Sequence, residues 1–187
     1  MAIARQPAQA LKLRVSLREI EPEVWRVLLI RTSASLEKLH YAIQRAMGWT
    51  DSHLHEFEIH GQRFTDLDTW EPFDEEAEPG DVQVTRLRDL HLDEGTRFTY
   101  LYDFGDYWLH DVTVEEVVPV PTGQRLPRCI AGARACPPED CGGTPGYFEL
   151  LQALNDPTHP EHESYTVWVG GRFDPEEFDL RRANARR

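Results

Sequence analysis

Sulfur is scarce in this chain: three cysteines and two methionines among 187 residues. So small and odd a number of thiols builds no disulfide framework, and a reducing, cytoplasmic location is expected. Long apolar runs are missing as well. The longest aliphatic stretch, Val27 to Ile30, is far short of the roughly 20 residues that a bilayer-spanning helix needs, so no membrane partner is expected. The opening MAIARQPAQA has no apolar stretch followed by a small-residue cleavage site, and no secretory signal is expected. Gly142-Gly143-Thr144 opens a helix, but the Walker lysine is missing and Glu139 and Asp140 precede it, which argues against nucleotide phosphate. Asp103-Phe104-Gly105 has no HRD loop to accompany it, so it is not a kinase signature and reads instead as a tight turn.

Positive charge is in short supply in one part of the chain only. The formal net charge of −13 divides into +4 over residues 1–50, −15 over 51–120 and −2 over 121–187. A middle third of that sign opposes the phosphate neutralisation on which non-specific nucleic-acid binding depends. The basic tail of Arg181, Arg182, Arg186 and Arg187 reads as a helix end suited to the macrodipole.

Apolar spacing predicts an α+β fold. Leu11, Leu13, Val15 and Leu17 alternate with polar residues as a half-buried strand. A second strand over Val24–Arg31 places Trp25, Val27 and Leu29 on one face, and the two form a hairpin. Ser33 or Ser35 caps a helix whose stripe is Leu36, Leu39, His40, Ile43 and Met47, with Gly48 as its stop. A single strand is predicted over His53–Phe64, with a loop at 66–82 and a short helical turn at 85–92. A hairpin of 97–104 with 107–118 then follows, Phe98, Tyr100, Tyr102 and Phe104 facing one way. Helices are expected after Thr144-Pro145, over 159–169, and from Asp174-Pro175. The order hairpin, helix, strand, hairpin suits a β-grasp-like mixed sheet with a helical C-terminal third. One domain over 1–187 is expected: a sheet core at 10–118, a cysteine-containing loop at 119–146 and helices at 147–187.

Three histidines carry the chemical interest. His53 and His55, two apart on the predicted strand, share a face with Phe57 and Ile59, while His110 shares one with Trp108, Val112 and Val114. Converging imidazoles suit zinc, although no standard ligand spacing is present, and a core histidine bonded to a carbonyl is the plainer alternative. Cys129, Cys136 and Cys141, spaced x6 and x4, form no CxxC pair; together with a histidine they could hold one metal, or simply pack as small hydrophobes. Asp103, Asp106, Trp108 and His110 lie on one hairpin and are the candidate ligand-binding residues, since carboxylates beside a histidine orient it.

Five blocks carry a wider likeness: EPEVWRVLLI (21–30), GWTDSHLHEF (48–57), YDFGDYWLHDV (102–112), RACPPEDCGGTPGY (134–147) and FDPEEFDLRRAN (173–184). Together they resemble the Ri-plasmid open-reading-frame-three-like family, in order and over roughly residues 10–185. The resemblance implies an α+β fold and supplies no catalytic residues. Some relatives bear a transposon-passenger, TnpR-like or resolvase-like label. A serine recombinase would need a serine amid arginines and a DNA-binding segment, and the acidic middle third argues against one. Three functions are therefore carried forward. The first is a non-enzymatic binding or interaction module with a protein or small-molecule partner. The second is a zinc or other metal site built from His53, His55, His110 and the cysteine loop. The third is a DNA-associated protein of a mobile element.

Overall fold

β1 (Gln9–Leu17) and β2 (Trp25–Arg31) pair antiparallel as expected, and β1 continues on its other side along β7 (Trp108–Pro119). The computed structural model describes residues 8–71 and 78–185. Between these strands and the C-terminal helices lie β3 (His55–Ile59), β4 (Gln62–Thr65), β5 (Gly80–Asp81), β6 (Arg97–Tyr102) and β8 (Arg128–Ala133). All eight form one sheet in the order β5-β4-β3-β6-β7-β1-β2-β8, antiparallel except for the β4–β5 pair. Three helices accompany it among the described residues: α1 (Leu36–Met47), α2 (Gly143–Asn155) and α3 (His162–Trp168). The protein is thus mixed α+β. None of its described helices is long and apolar enough to cross a membrane.

α1 begins and ends where the residue types dictate. Ser35 accepts a hydrogen bond from the Lys38 N–H at 3.3 Å, and Gly48, at φ 98°, closes the last turn on the Gln44 carbonyl. Its stripe of Leu36, Leu39, Ile43 and Met47 packs with Leu11, Leu13, Val15 and Leu17 of β1 in one core. Each such side chain taken from water contributes roughly 1.5–3 kcal/mol.

Trp25, Val27 and Leu29 share one face of β2 as expected, and four other expectations change. The core face of β2 carries Arg26, Leu28 and Ile30, because Leu13 pairs with Leu28 and Leu11 with Ile30. Trp25, Val27 and Leu29 share the opposite face, where the Arg14 guanidinium lies 4.2 Å from the Trp25 ring. The 53–64 strand is two strands folded back at His60-Gly61, both in the left-handed region, and His53 lies before the first of them. Phe104 leaves the sheet at the turn after β6 and is exposed. Within the predicted loops, residues 80–81 form β5 and residues 128–133 form β8, so Cys129 is a strand residue; the 66–82 loop also falls partly, at 72–77, outside the described residues.

The helix expected from Asp174 does not form either. Its backbone serves β8 instead: the Pro175 carbonyl accepts the Ala135 N–H at 3.0 Å, and the Phe178 ring lies over Gly132 and the Arg26 guanidinium. Only a 3-10 turn at Arg182–Asn184 follows. Asn184 there reads the sheet edge like a paired residue, accepting from the Cys129 N–H at 2.9 Å and donating to the Cys129 carbonyl at 2.8 Å. Tertiary contacts with an edge strand outweigh the local N-cap signal.

Arg26 itself is nearly inaccessible and has no carboxylate partner among the described residues. It donates to the carbonyls of Ala46, Trp25, Ala133 and Arg134 at 2.7–2.9 Å, the first at the negative end of α1. One guanidinium therefore ties α1, β2 and β8 together.

Candidate functional site

The turn between β6 and β7 is built around Asp103. This residue sits at φ 59°, its Oδ1 accepts the N–H groups of Gly105 at 2.8 Å and Asp106 at 3.3 Å, and its carbonyl accepts from Tyr107 at 2.7 Å. An aspartate tolerates the left-handed region because its short side chain satisfies the local backbone. With Oδ1 so engaged, Oδ2 lies 3.6 Å from His53 Nε2.

The segment before α2 comes against the same turn. Asp106 Oδ2 accepts the Gly142 N–H at 3.2 Å, and a Cβ on Gly143 would stand 2.6 Å from the Asp106 carbonyl oxygen. A Cβ on Gly146 would stand 1.9 Å from that of Cys141. Gly143 lets the two loops close to backbone contact, while Gly146 lets the first turn of α2 fold against its own preceding segment. The approach presents Asp140, held at φ 60°, with its Oδ1 3.0 Å from His53 Nε2.

His53 is delivered by the 49–54 segment, which is anchored on both sides. Trp49 Nε1 donates to the Pro137 carbonyl at 2.9 Å, and the Ser52 N–H donates to the Tyr102 hydroxyl at 3.0 Å. Tyr102 in turn donates to Glu139, which also accepts from the Thr50 N–H and hydroxyl. Burial raises the Glu139 carboxyl, but these hydrogen bonds outweigh it and leave the group below its ordinary value. His53, Asp103 and Asp140 each offer one ligand atom, and the three atoms lie within 4.8 Å of one another.

A second cluster borders the first. His40 and His55 stack with ring centroids 3.6 Å apart and planes within 10°. Gln44 donates to the Tyr100 hydroxyl at 3.0 Å, so that hydroxyl donates to His40 Nδ1 at 2.8 Å; His40 Nε2–H then donates to Asp51 Oδ1 at 2.7 Å. Burial pushes His40 down to about 4, and burial with the neighbouring ring pushes His55 to about 3. Both rings are neutral at neutral pH. Burial also raises the Asp51 carboxyl. His55 Nε2 is buried without a partner among the described residues.

Of the residues singled out from sequence, His53 and Asp103 converge, and Asp106 holds the turn to α2. His110 faces the core: burial drives it down to about 4, its Nδ1 lies 3.1 Å from the Tyr100 carbonyl, and its Nε2, like the Trp108 indole N–H, has no partner among the described residues. His55, His110 and the three cysteines do not join the metal-capable group among the described residues. The cysteines are all free and buried; burial raises all three thiols, Cys141 to about 12, and keeps them protonated. Sequence reasoning missed Asp140, Asp51 and His40. A histidine inside the apolar stripe of α1 was the available signal for His40. For Asp140 it was a carboxylate next to a Cys-Gly-Gly run.

The family model described as plasmid pRiA4b ORF-3-like protein matches residues 9–182. A protein of Sinorhizobium fredii (strain NBRC 101917 / NGR234), described as uncharacterized protein y4hQ, is 39% identical over 166 residues, 87% of this chain and 82% of that protein. The crystal structure of a protein of unknown function, MM3350 from Methanosarcina mazei Go1, matches with a TM-score of 0.83 and 34% identity over 94% of this chain and 98% of that one. Neither description names an activity.

Proposed function

The chain belongs to the plasmid pRiA4b ORF-3-like family, and from that premise we propose a non-enzymatic binding module that holds a divalent transition metal, zinc by donor type, at His53, Asp103 and Asp140. One observation carries this reading: three ligand atoms from separate segments lie within 4.8 Å of one another. Zinc–nitrogen and zinc–oxygen bonds of about 2.0–2.1 Å put tetrahedral ligand atoms about 3.3 Å apart. The distances of 3.0 and 3.6 Å from His53 Nε2 bracket that value. Magnesium and calcium prefer all-oxygen sites, so the imidazole favours zinc. Three protein ligands leave a fourth position for water or a partner's donor atom.

Asp103 is held by two backbone N–H groups and Asp140 by the glycine-dependent loop contact, so both carboxylates are positioned in advance. Three free thiols support a reducing, cytoplasmic setting. The charge of −15 over residues 51–120 supports a cationic ligand over nucleic acid. We describe the sheet crossed by α1 as β-grasp-like and the chain as one domain.

Metal analysis of protein purified without chelator, followed by calorimetric zinc titration, tests the proposal. About one equivalent is expected for the wild type and for Cys141→Ser, with loss in Asp103→Asn and Asp140→Asn. Less than about a tenth of an equivalent, together with no titratable zinc binding, overturns it.

A further inference from the structure

Beside the proposed metal site lies a cavity of about 410 Å³ whose lining includes Glu37, His40, Tyr41, Asp51, His55 and Asp66. Three carboxylates line it, and no lysine or arginine does so among the described residues. Two of these carboxylates are fixed in place. Asp51 is held at φ 62° by the His40 contact and by its own N–H donating to Gln44 Oε1 at 3.1 Å; Asp66 Oδ1 accepts from the Asp68 N–H and from Gln83. His55 adds an independent sign. It is 8% exposed, lines the cavity, and its Nε2 is a buried polar atom with no hydrogen-bond partner among the described residues. Such atoms are rare, because an unmade buried hydrogen bond is costly.

We infer that this cavity binds an alkylammonium group, with Asp51 and Asp66 balancing its charge, His55 Nε2 accepting one N–H, and the Tyr41 ring lying against the alkyl chain. The chemistry follows from what the walls supply. Two fixed carboxylates and an imidazole lone pair are all acceptors, and an ammonium offers three donors and one positive charge. The cavity is of ligand size, and an exposed aromatic at its mouth favours an alkyl cation. A free diamine and a lysine side chain present the same group, so the two sources are separated by experiment. His53 of the metal site also lines the cavity, but the inference uses different ligating residues and stands without the metal.

The test is calorimetric titration of the intact protein with 1,5-diaminopentane and, separately, with Nα-acetyl-lysine N-methylamide; 1-pentanol is the uncharged control. At least one of the two amines is expected to bind at one equivalent with a Kd of about 1 mM or tighter, while the alcohol does not. Binding of the diamine alone assigns a free amine, and binding of the lysine derivative alone assigns a protein side chain. Asp66→Asn, which leaves the His40–Asp51 contact intact, weakens binding at least tenfold, as does His55→Phe, with thermal unfolding checked for both. Asp103→Asn removes the proposed metal ligand and leaves amine binding unchanged, so the two proposals fail separately. Absence of saturable amine binding overturns the inference, as does equal affinity in Asp66→Asn and His55→Phe, or loss of binding in Asp103→Asn.

Discussion

Gly146→Ala is the sharpest single test of how α2 is seated. The glycine lies in the first turn of the helix at an ordinary backbone angle, so the substitution carries no left-handed penalty. Helix propensity alone predicts a gain of about 1 kcal/mol from alanine. Sterics predict the reverse. The new Cβ would stand 1.9 Å from the Cys141 carbonyl oxygen, which is backbone and cannot rotate aside. Restoring contact distance requires a displacement of more than about 1 Å, and overpacking of this kind costs about 3 kcal/mol or more when backbone must move. The net expectation is a loss of about 2 kcal/mol, or a Tm lower by about 4–8 °C for a chain of this size. The loop that shifts carries Asp140, so zinc affinity falls at least tenfold with it, since metal sites tolerate ligand displacements of only about 0.2 Å. Calorimetry of unfolding and of zinc binding reads both effects. A variant as stable as the wild type or more so, with zinc affinity unchanged, would refute the reasoning about loop closure.

Two further substitutions follow from buried polar groups. His110 is pushed down to about 4 in the folded state against 6.5 in the unfolded chain, so it stabilises fully above pH 6.5 and loses that contribution as pH falls toward 4. The loss is about 2 kcal/mol between pH 7 and pH 5, and His110→Leu, followed by urea unfolding at both, shows a pH dependence shallower by about that amount. Arg26→Met removes the donor shared by the carbonyls of Ala46, Trp25, Ala133 and Arg134. Stranding buried acceptors predicts a loss of about 3 kcal/mol or more by denaturant unfolding, and wild-type stability in the variant would contradict it.

Elements that carry their own signals were legible from the residues alone. α1 has a serine cap, a periodic stripe and a glycine stop; β1 and β7 alternate cleanly; all three formed where spacing placed them. What the residues alone did not reveal depended on partners far along the chain. The face of β2 is decided by its register against β1, which periodicity within β2 does not reveal when both faces are apolar. Asp174-Pro175-Glu176-Glu177 is a sound local start for a helix, yet Ala135 and Gly132 of a distant edge claim that segment. The candidate site divided in the same way. His53 and Asp103 stood out by residue type, whereas Asp140 joins them through the close backbone approach that Gly143 permits to Asp106. No one-dimensional pattern encodes that approach.

The pairing of β1 with β7 has a consequence for how the molecule is made. Gln9 lies opposite Pro119 and Leu17 opposite His110, so one edge of β1 waits for a partner about a hundred residues further along the chain. Until β7 and β8 emerge, the β1–β2 hairpin has two open edges and an apolar face covered only by α1. Folding rates fall as contacting residues lie further apart in the chain, so the nascent hairpin is the stretch whose edges stay exposed longest. The clasp on β8 comes later still, from Asn184, 55 residues beyond the Cys129 backbone that it pairs.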